Sequence, residues 1–565
     1  MSRRVGSWVA ATLLGACATL RLDPDLSARA PALAGFGQIA LPVTTRSAEA
    51  QRLFNAGLLQ AYAFNEKEAV RTFKAALAQD TGCAMCAWGV AWQLGPNINN
   101  HDRGGVPEAL RYVDHALRQM AGITPREKAL IDALALRYAH DSQARATAPL
   151  SAEVCKSNGD DDDDDNRPPH PLNVAYAERM RAISDASPDD TDLLSLYAES
   201  EMIATRGDWW NATSGKPAGR IGELANKLER SAAAHPQHTG VNHYLIHAVD
   251  AVGVAQRAEG AADRLGKLAP MSPHLLHMPS HTYVWLGRFA DAVAVNQQAL
   301  AADTTLDEAQ KAQGFSISKD WRGHNGHFLW FAALASARGD VALTIARQAA
   351  ARGAKSDHRY GEYRRALPTL TLLRLERWQA VLDEPQPTGR FGIAELLSAQ
   401  ARGTALARLG RLNAAQAVLT QIDTLAKTAA AAPADGKRDR HFSDDAVKLA
   451  RARVTAELAL AKSQFDLALT QQALAVAASA KLDDNEPPML AAAALQTLGD
   501  MQLRAGRWAE AELSFRDDLK ARPGSGWALR GLSQSLTAQG KNAAPELAEW
   551  DRAWAQADTA LRRKL

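Results

Sequence analysis

Three things are scarce in this sequence: net charge, cysteine and long apolar runs. Each shortage closes off a class of function. The 65 Lys and Arg are nearly balanced by 63 Asp and Glu over 565 residues, and no basic cluster with interleaved aromatics supplies a nucleic-acid footprint. Nucleic acid is therefore set aside as a partner. Only 4 cysteines occur, and the one close pair, Cys83-Ala84-Met85-Cys86, has no histidine after it, which removes c-type haem attachment. A local disulfide, a redox pair or half a thiolate metal site remains open for Cys83 and Cys86. Beyond the N-terminus no stretch approaches the roughly 20 apolar residues of a membrane-spanning helix. Strand-type alternation of Val, Ile and Thr is rare, whereas Ala- and Leu-rich segments with polar faces recur throughout, so an all-α fold is expected.

What is present begins with a leader. Met1-Ser2-Arg3-Arg4 precedes a short apolar run ending in Leu14-Gly15-Ala16-Cys17, and a positive n-region before a short apolar core is an export signal. The last four residues resemble a bacterial lipobox, which implies cleavage and lipidation at Cys17. Ala18 in the next position implies passage to the periplasmic face of the outer membrane, or else a periplasmic location, with membrane contact through the lipid anchor only. Residues 1–17 then form the signal peptide. Residues 18–47, carrying Pro24, Pro31 and Pro42, read as a tether. In such an oxidising compartment a local Cys83–Cys86 disulfide, or two buried thiols in a helix, is the plainest expectation.

From residue 48 a different pattern starts. Gly57, Ala69 and Phe73, followed by Ala76, set a spacing that returns late in the chain as Gly499, Ala511 and Phe515, followed by Pro523, with Leu529 and Leu532 one 34-residue period after Leu495 and Leu498, while Gly403 and Ala415 repeat one of the offsets. This spacing resembles the tetratricopeptide repeat family, whose unit is a 34-residue helix-turn-helix. The resemblance covers most of residues 48 to 560 and implies an α-solenoid with a concave face able to take a protein or peptide. Two segments interrupt it: residues 151–172, with the acidic run Asp160 to Asp165, and residues 428–441. Like-charge repulsion marks the first as a solvated loop. Repeats are thus expected over 48–150, 173–340, 341–427 and 442–565.

Nine of the 15 histidines fall between His235 and His327, and imidazole is the commonest transition-metal ligand. His243 and His247 lie four apart in an apolar-periodic segment, which puts both on one helix face. His277 and His281 have the same spacing, although Pro279 between them suits the first turn of a helix and suggests that His277 approaches from a turn. His324 and His327 form a third pair. These segments also resemble a poorly characterised group of bacterial tetratricopeptide proteins with paired histidines, which implies a common site but no known chemistry.

Neither helical pair carries the general-base Glu of His-Glu-x-x-His, since Tyr244 and Met278 stand there, so a zinc peptidase is disfavoured. Six imidazoles resemble in number the ligand sets of type-3 copper proteins. His243, His247, His277, His281, His324 and His327 are therefore expected to bind a transition metal, copper favoured over iron or zinc. Glu199, Asp250, His238 and His274 are candidates for additional ligands or for support behind the ligands. The expected function is a metal-dependent oxidoreductase with no catalytic side chain identified. Its rival is a cell-envelope scaffold that binds a protein or peptide while any metal is structural or stored, and metal delivery through Cys83 and Cys86 is a third reading.

Overall fold

A computed structural model describes residue 30 and residues 33–99, 106–138, 169–315, 321–431, 444–482 and 494–562, apart from isolated positions at 206, 208, 212–213 and 357. The leader with Cys17, the acidic run Asp160 to Asp165 and most of the expected 428–441 linker lie outside these residues. Among them no named strand occurs, and no helix is long and apolar enough to cross a membrane. The chain is an all-α solenoid of successive helical hairpins.

The hairpins share one turn. Phe64, Gly287, Ala337, Glu376, Gly410, Ser463, Gly506 and Gly540 all adopt left-handed backbone with φ between 51° and 75°. The next amide bonds back into the helix, as in Asn65 N to Gln60 O, Arg288 N to Tyr283 O and Arg507 N to Gln502 O at 2.8–2.9 Å. This is the Schellman closure of a helix C-terminus, which satisfies orphan carbonyls and reverses the chain within a few residues.

Hairpins then stack through small residues. A Cβ on Gly57 or Gly89 would lie 2.8 or 2.5 Å from the Phe73 ring, and one on Gly499 or Gly531 would lie 2.6 or 2.2 Å from Phe515. Each phenylalanine therefore wedges between the first helix of its own hairpin and that of the next. The glycines hold the helices close enough for those rings to fill the gap.

The array returns on itself. Trp527 Nε1 donates to Leu334 O at 2.8 Å, Trp554 Nε1 to Ala335 O at 3.2 Å, and Asp558 N to Ala337 O at 3.0 Å. These bonds join the last hairpins to the central ones and close a ring over residues 287 to 562. At the seam Gly287 has φ +71°, and a Cβ there would sit 2.2 Å from Pro523 O. Gly410 has a similar φ with nothing within 4 Å. Gly287→Ala is expected to lower stability by about 1–3 kcal/mol, read as a fall in melting temperature, from backbone strain and the seam clash together. Gly410→Ala should show the strain alone, and an equal loss in both variants would count against a closed seam.

The N-terminal hairpin is tied in by a buried pair: Arg71 and Glu68 face each other, and Gln310 Nε2 donates to Glu68 Oε2 at 2.9 Å. The tether expected over 18–47 ends earlier than that. Phe36 and Leu41 are buried, Met271 N donates to Gly35 O at 2.9 Å, and Thr44 Oγ1 donates to Glu127 Oε2 at 2.7 Å. Residues 33–46 lie on the fold because their apolar side chains find a surface to cover. Cys83 and Cys86 are joined in a disulfide at the start of helix Ala84–Gln93, both fully buried. That burial removes them from contact with a metal-exchange partner.

Candidate metal centre

The histidine-rich segment builds two imidazole trios on neighbouring repeats. His243 and His247 project from one face of helix Thr239–Ala248, whose start is capped by His238. His274 and His277 belong to the short helix Pro273–His277, capped by Ser272. Met278 keeps right-handed helical dihedrals, so the chain passes into helix Pro279–Trp285 with little change of direction and His281 stays beside His277. His277 thus lies within helical backbone and not in a turn, since Pro279 occupies the first position of a new helix, where its missing N–H costs nothing. His324 comes from the first turn of helix Arg322–Ala335.

In the first trio His243 Nε2 stands 3.0 Å from His274 Nε2 and 3.1 Å from His247 Nε2. In the second, His277 Nε2 and His281 Nε2 are 3.0 Å apart, and a His324 ring nitrogen completes a set whose members lie within 4.8 Å of one another. The trios abut: the His247 and His281 rings are 6.4 Å apart by centroid, and those of His274 and His277 6.3 Å.

The tautomers of the second trio follow from what lies behind it. Asn296 Nδ2 donates to Ala292 O, so its Oδ1 faces His277 Nδ1 at 2.7 Å and accepts a hydrogen bond from it. Asp250 accepts from His281 Nδ1 at 2.6 Å and from Trp285 Nε1 at 2.7 Å. With both outer nitrogens donating, the inner nitrogens of neutral His277 and His281 present lone pairs to each other. In the first trio one His243 Nε2 faces two other nitrogens. A neutral imidazole nitrogen has either one proton or one lone pair and cannot satisfy both.

Extra protons are a poor remedy. Burial, and then the neighbouring His247 charge, hold His243 well below the usual imidazole range. Burial pushes His247 down to about 3, with the His281 and His277 charges adding to it. His277 is depressed by burial and then by His324 and His281. A cation shared by the inner nitrogens removes the conflict: two nitrogens each 2.0–2.1 Å from one ion stand about 3 Å apart at angles near 90–110°. The edges His243–His274, His243–His247 and His277–His281 match that spacing.

Each trio has its own phenylalanine. The Phe64 ring lies 4.6 Å from that of His243 and is stacked on His274 at 4.8 Å, while Phe328 lies 4.7 Å from His277 and 4.4 Å from His281. Phe64 occupies the left-handed turn position that four sister hairpins give to glycine. A bulky residue in that conformation is strained, and such strain gathers at functional sites. Trp321 stacks on His274 at 4.3 Å. His247 and His324 are the two members that keep a small exposed fraction.

Of the residues singled out in the sequence, five come together with His274: His243, His247, His277, His281 and His324. His274, expected at most as support, takes a full place in the first trio. His327 does not reach either one. Its Nε2 meets Tyr363 OH at 2.9 Å, its Nδ1 meets Tyr360 OH at 3.2 Å, and its ring stacks on Trp330. His324 and Phe328, four residues apart, share the face that looks at the second trio, and His327 is turned off that face. Asp250 supports His281 from behind. Glu199 is held elsewhere, accepting from Trp92 Nε1 at 2.8 Å, and His238 pairs with Asp192 at 3.1 Å.

Asn296 and Phe64 were missed, having no sequence signature of their own. One available signal was periodic: His277 follows His243 by 34 residues and His281 follows His247 by 34. The two pairs therefore occupy equivalent positions one repeat apart, and adjacent repeats stack side by side.

No protein-family model and no curated protein matches the chain. Among solved structures, yeast Tom70 is similar over 92% of this chain and 87% of its own at 12% identity and a TM-score of 0.23. The human IFIT1 dimer with m7Gppp-AAAA is similar over 94% of each chain at 11% identity and a TM-score of 0.27. Scores of that size carry no argument about this chain, whose description as an all-α solenoid of tetratricopeptide-like hairpins rests on its own repeated turns and glycine-phenylalanine packing.

Proposed function

We propose that each imidazole trio holds one transition-metal ion and that the pair forms a dinuclear redox centre, copper favoured over iron or zinc. The observation that carries this is the set of inward-facing imidazole nitrogens 3.0–3.1 Å apart, whose lone pairs and protons cannot all be satisfied without a shared cation. A donor set of uncharged imidazoles, with its nearest carboxylate behind a ligand, suits copper better than the carboxylate-containing sets common for iron. Three protein ligands per ion leave a coordination position for water, dioxygen or an oxidisable substrate. His247 and His324, the members with a small exposed fraction, mark the side from which such a molecule would arrive, and Phe64 and Phe328 back the rings with apolar surface.

Export fits this reading. It is supported by the leader pattern ending at Cys17 and by the Cys83–Cys86 disulfide, which persists in oxidising compartments. The test is elemental analysis of protein purified from the periplasm without a histidine tag, followed by dioxygen uptake with a reduced dye. About two ions per chain with turnover support the oxidoreductase. Two ions without turnover would leave metal storage on a protein-binding scaffold, and no bound metal after reconstitution would end the proposal.

The two trios should not be equivalent. Asp250 accepts from His281 Nδ1 and fixes the orientation of that ring, whereas His243 Nδ1 is buried with no hydrogen-bond partner among the described residues. Asp250→Asn is expected to weaken the ion of the second trio by about 10–100-fold and to leave the first unchanged, since removing a hydrogen-bond partner behind a ligand typically costs that much. Competition titration with a chromophoric chelator reads both affinities.

A further inference from the structure

The ring closed by Trp527 and Trp554 has a charged inner side far along the chain from the histidines. Arg374, Arg408, Arg453, Arg504 and Arg530 come from five first helices, Arg359–Arg374, Ile393–Arg408, Asp444–Ala461, Ala494–Arg504 and Gly526–Ala538. Arg408 and Arg453 meet on Glu457, while Arg374 packs on Trp527, three residues before Arg530, and donates to Gln496 on the helix that carries Asp500 and Arg504. Five repeats therefore deliver guanidinium groups to a common centre, an arrangement that mutual repulsion opposes unless an anion stands between them.

The anions of the protein do not fill that role. Glu457 is engaged by Arg408 at 2.6 and 3.0 Å and by Arg453 at 3.3 Å. Asp500 makes no hydrogen bond among the described residues, and Arg504 and Arg530 make neither hydrogen bond nor ion pair there. The Nε atoms of Arg453 and Arg530 are buried without a partner. Arg374 lies flat on the Trp527 ring, 4.1 Å from its centroid, which orients its fork. Counting Glu376, Glu457, Asp500 and Asp518 against the five arginines and Arg522 leaves an excess of two positive charges. Arginine forks match the oxygens of a tetrahedral oxyanion two at a time, and buried unpaired N–H donors are costly unless a ligand takes them up.

We propose that the inner side of the C-terminal ring binds a phosphate dianion, supplied as inorganic phosphate or as a phosphate monoester. The site is separate from the histidine trios, so the metal reading and this one stand or fall independently. The test is isothermal titration of the full chain at constant ionic strength with inorganic phosphate and with glycerol 3-phosphate. One saturable site is expected. Arg504→Gln and Arg530→Gln should each weaken it by about tenfold, the scale of one charge-assisted hydrogen bond, and Asp500→Asn should tighten it by removing a competing carboxylate. Tighter binding of the monoester identifies an organic phosphate as the source, and equal binding identifies the free ion. His274→Ala should leave phosphate affinity untouched. Arg504 is exposed, so its variant keeps the fold, with circular dichroism as the check. Absence of saturable binding by both probes, affinities unmoved by the arginine variants, or binding of an acidic peptide where neither phosphate probe binds would each overturn the proposal.

Discussion

His274→Ala is expected to release one of two bound metal ions and His327→Ala to release neither, measured as metal per chain after exhaustive dialysis. His274 Nε2 stands 3.0 Å from His243 Nε2 in the first trio, whereas His327 spends both ring nitrogens on Tyr360 and Tyr363. Losing one of three imidazoles leaves two ligands on the first ion, too few to hold it against a chelator. The second ion keeps His277, His281 and His324. His243→Ala combined with His277→Ala removes a central ligand from each trio and should empty both. Retention of both ions in His274→Ala together with loss in His327→Ala would restore the ligand set read from the sequence and refute the two trios described here. Helicity measured in parallel separates ligand loss from unfolding.

Metal-free protein should lose stability steeply on acidification below about pH 6.5, and His327 sets a lower bound on the effect. Burial, and then the Arg364 charge, push His327 down to about 3 from an unfolded value near 6.5. Between those two values the unfolded chain holds a proton that the folded chain refuses, so stability falls as pH falls through that window, by about 1 kcal/mol per pH unit for each such histidine. Above 6.5 both states are neutral there and the contribution is flat. His243, His247 and His277 are displaced in the same direction, and their shares add to the slope. Urea midpoints of chelator-treated protein at pH 7.5, 6 and 5 measure it. His327→Gln, which keeps a polar partner for the tyrosines without a titrating ring, should flatten the slope by one share. Because the folded chain holds His243, His247 and His277 neutral over this range, protons do not compete with metal at these ligands, and the stability gap between loaded and metal-free protein should stay constant down to pH 5. A pH-independent midpoint would mean that these imidazoles are not held neutral by the fold.

Much of this was legible in the residues alone. Helical periodicity and the spacing of Gly57, Phe73, Gly499 and Phe515 encode stacked hairpins, because a glycine opposite a phenylalanine is a local packing rule repeated along the chain. The i, i+4 spacing of His243 and His247 placed two imidazoles on one face, since the geometry of a helix turn is the same in every protein. The 34-residue offset to His277 and His281 carried, unused, the fact that the two pairs sit on neighbouring repeats.

What the sequence could not decide was which faces meet. Whether His324 or His327 turns toward the centre depends on how helix Arg322–Ala335 is rotated against its neighbours. That rotation is set by Phe328 packing on one side and by Trp330, Tyr360 and Tyr363 drawing His327 to the other. His274 entered the first trio because a short helix, capped by Ser272 and followed by Pro279, carries it and His277 past two different partners. The ring seam joins Gly287 to Pro523, more than two hundred residues apart, and the inner arginines are gathered from helices spread between Arg374 and Arg530. Local periodicity fixes the face on which a side chain lies, but only the summed twist of many stacked hairpins determines what that face looks at.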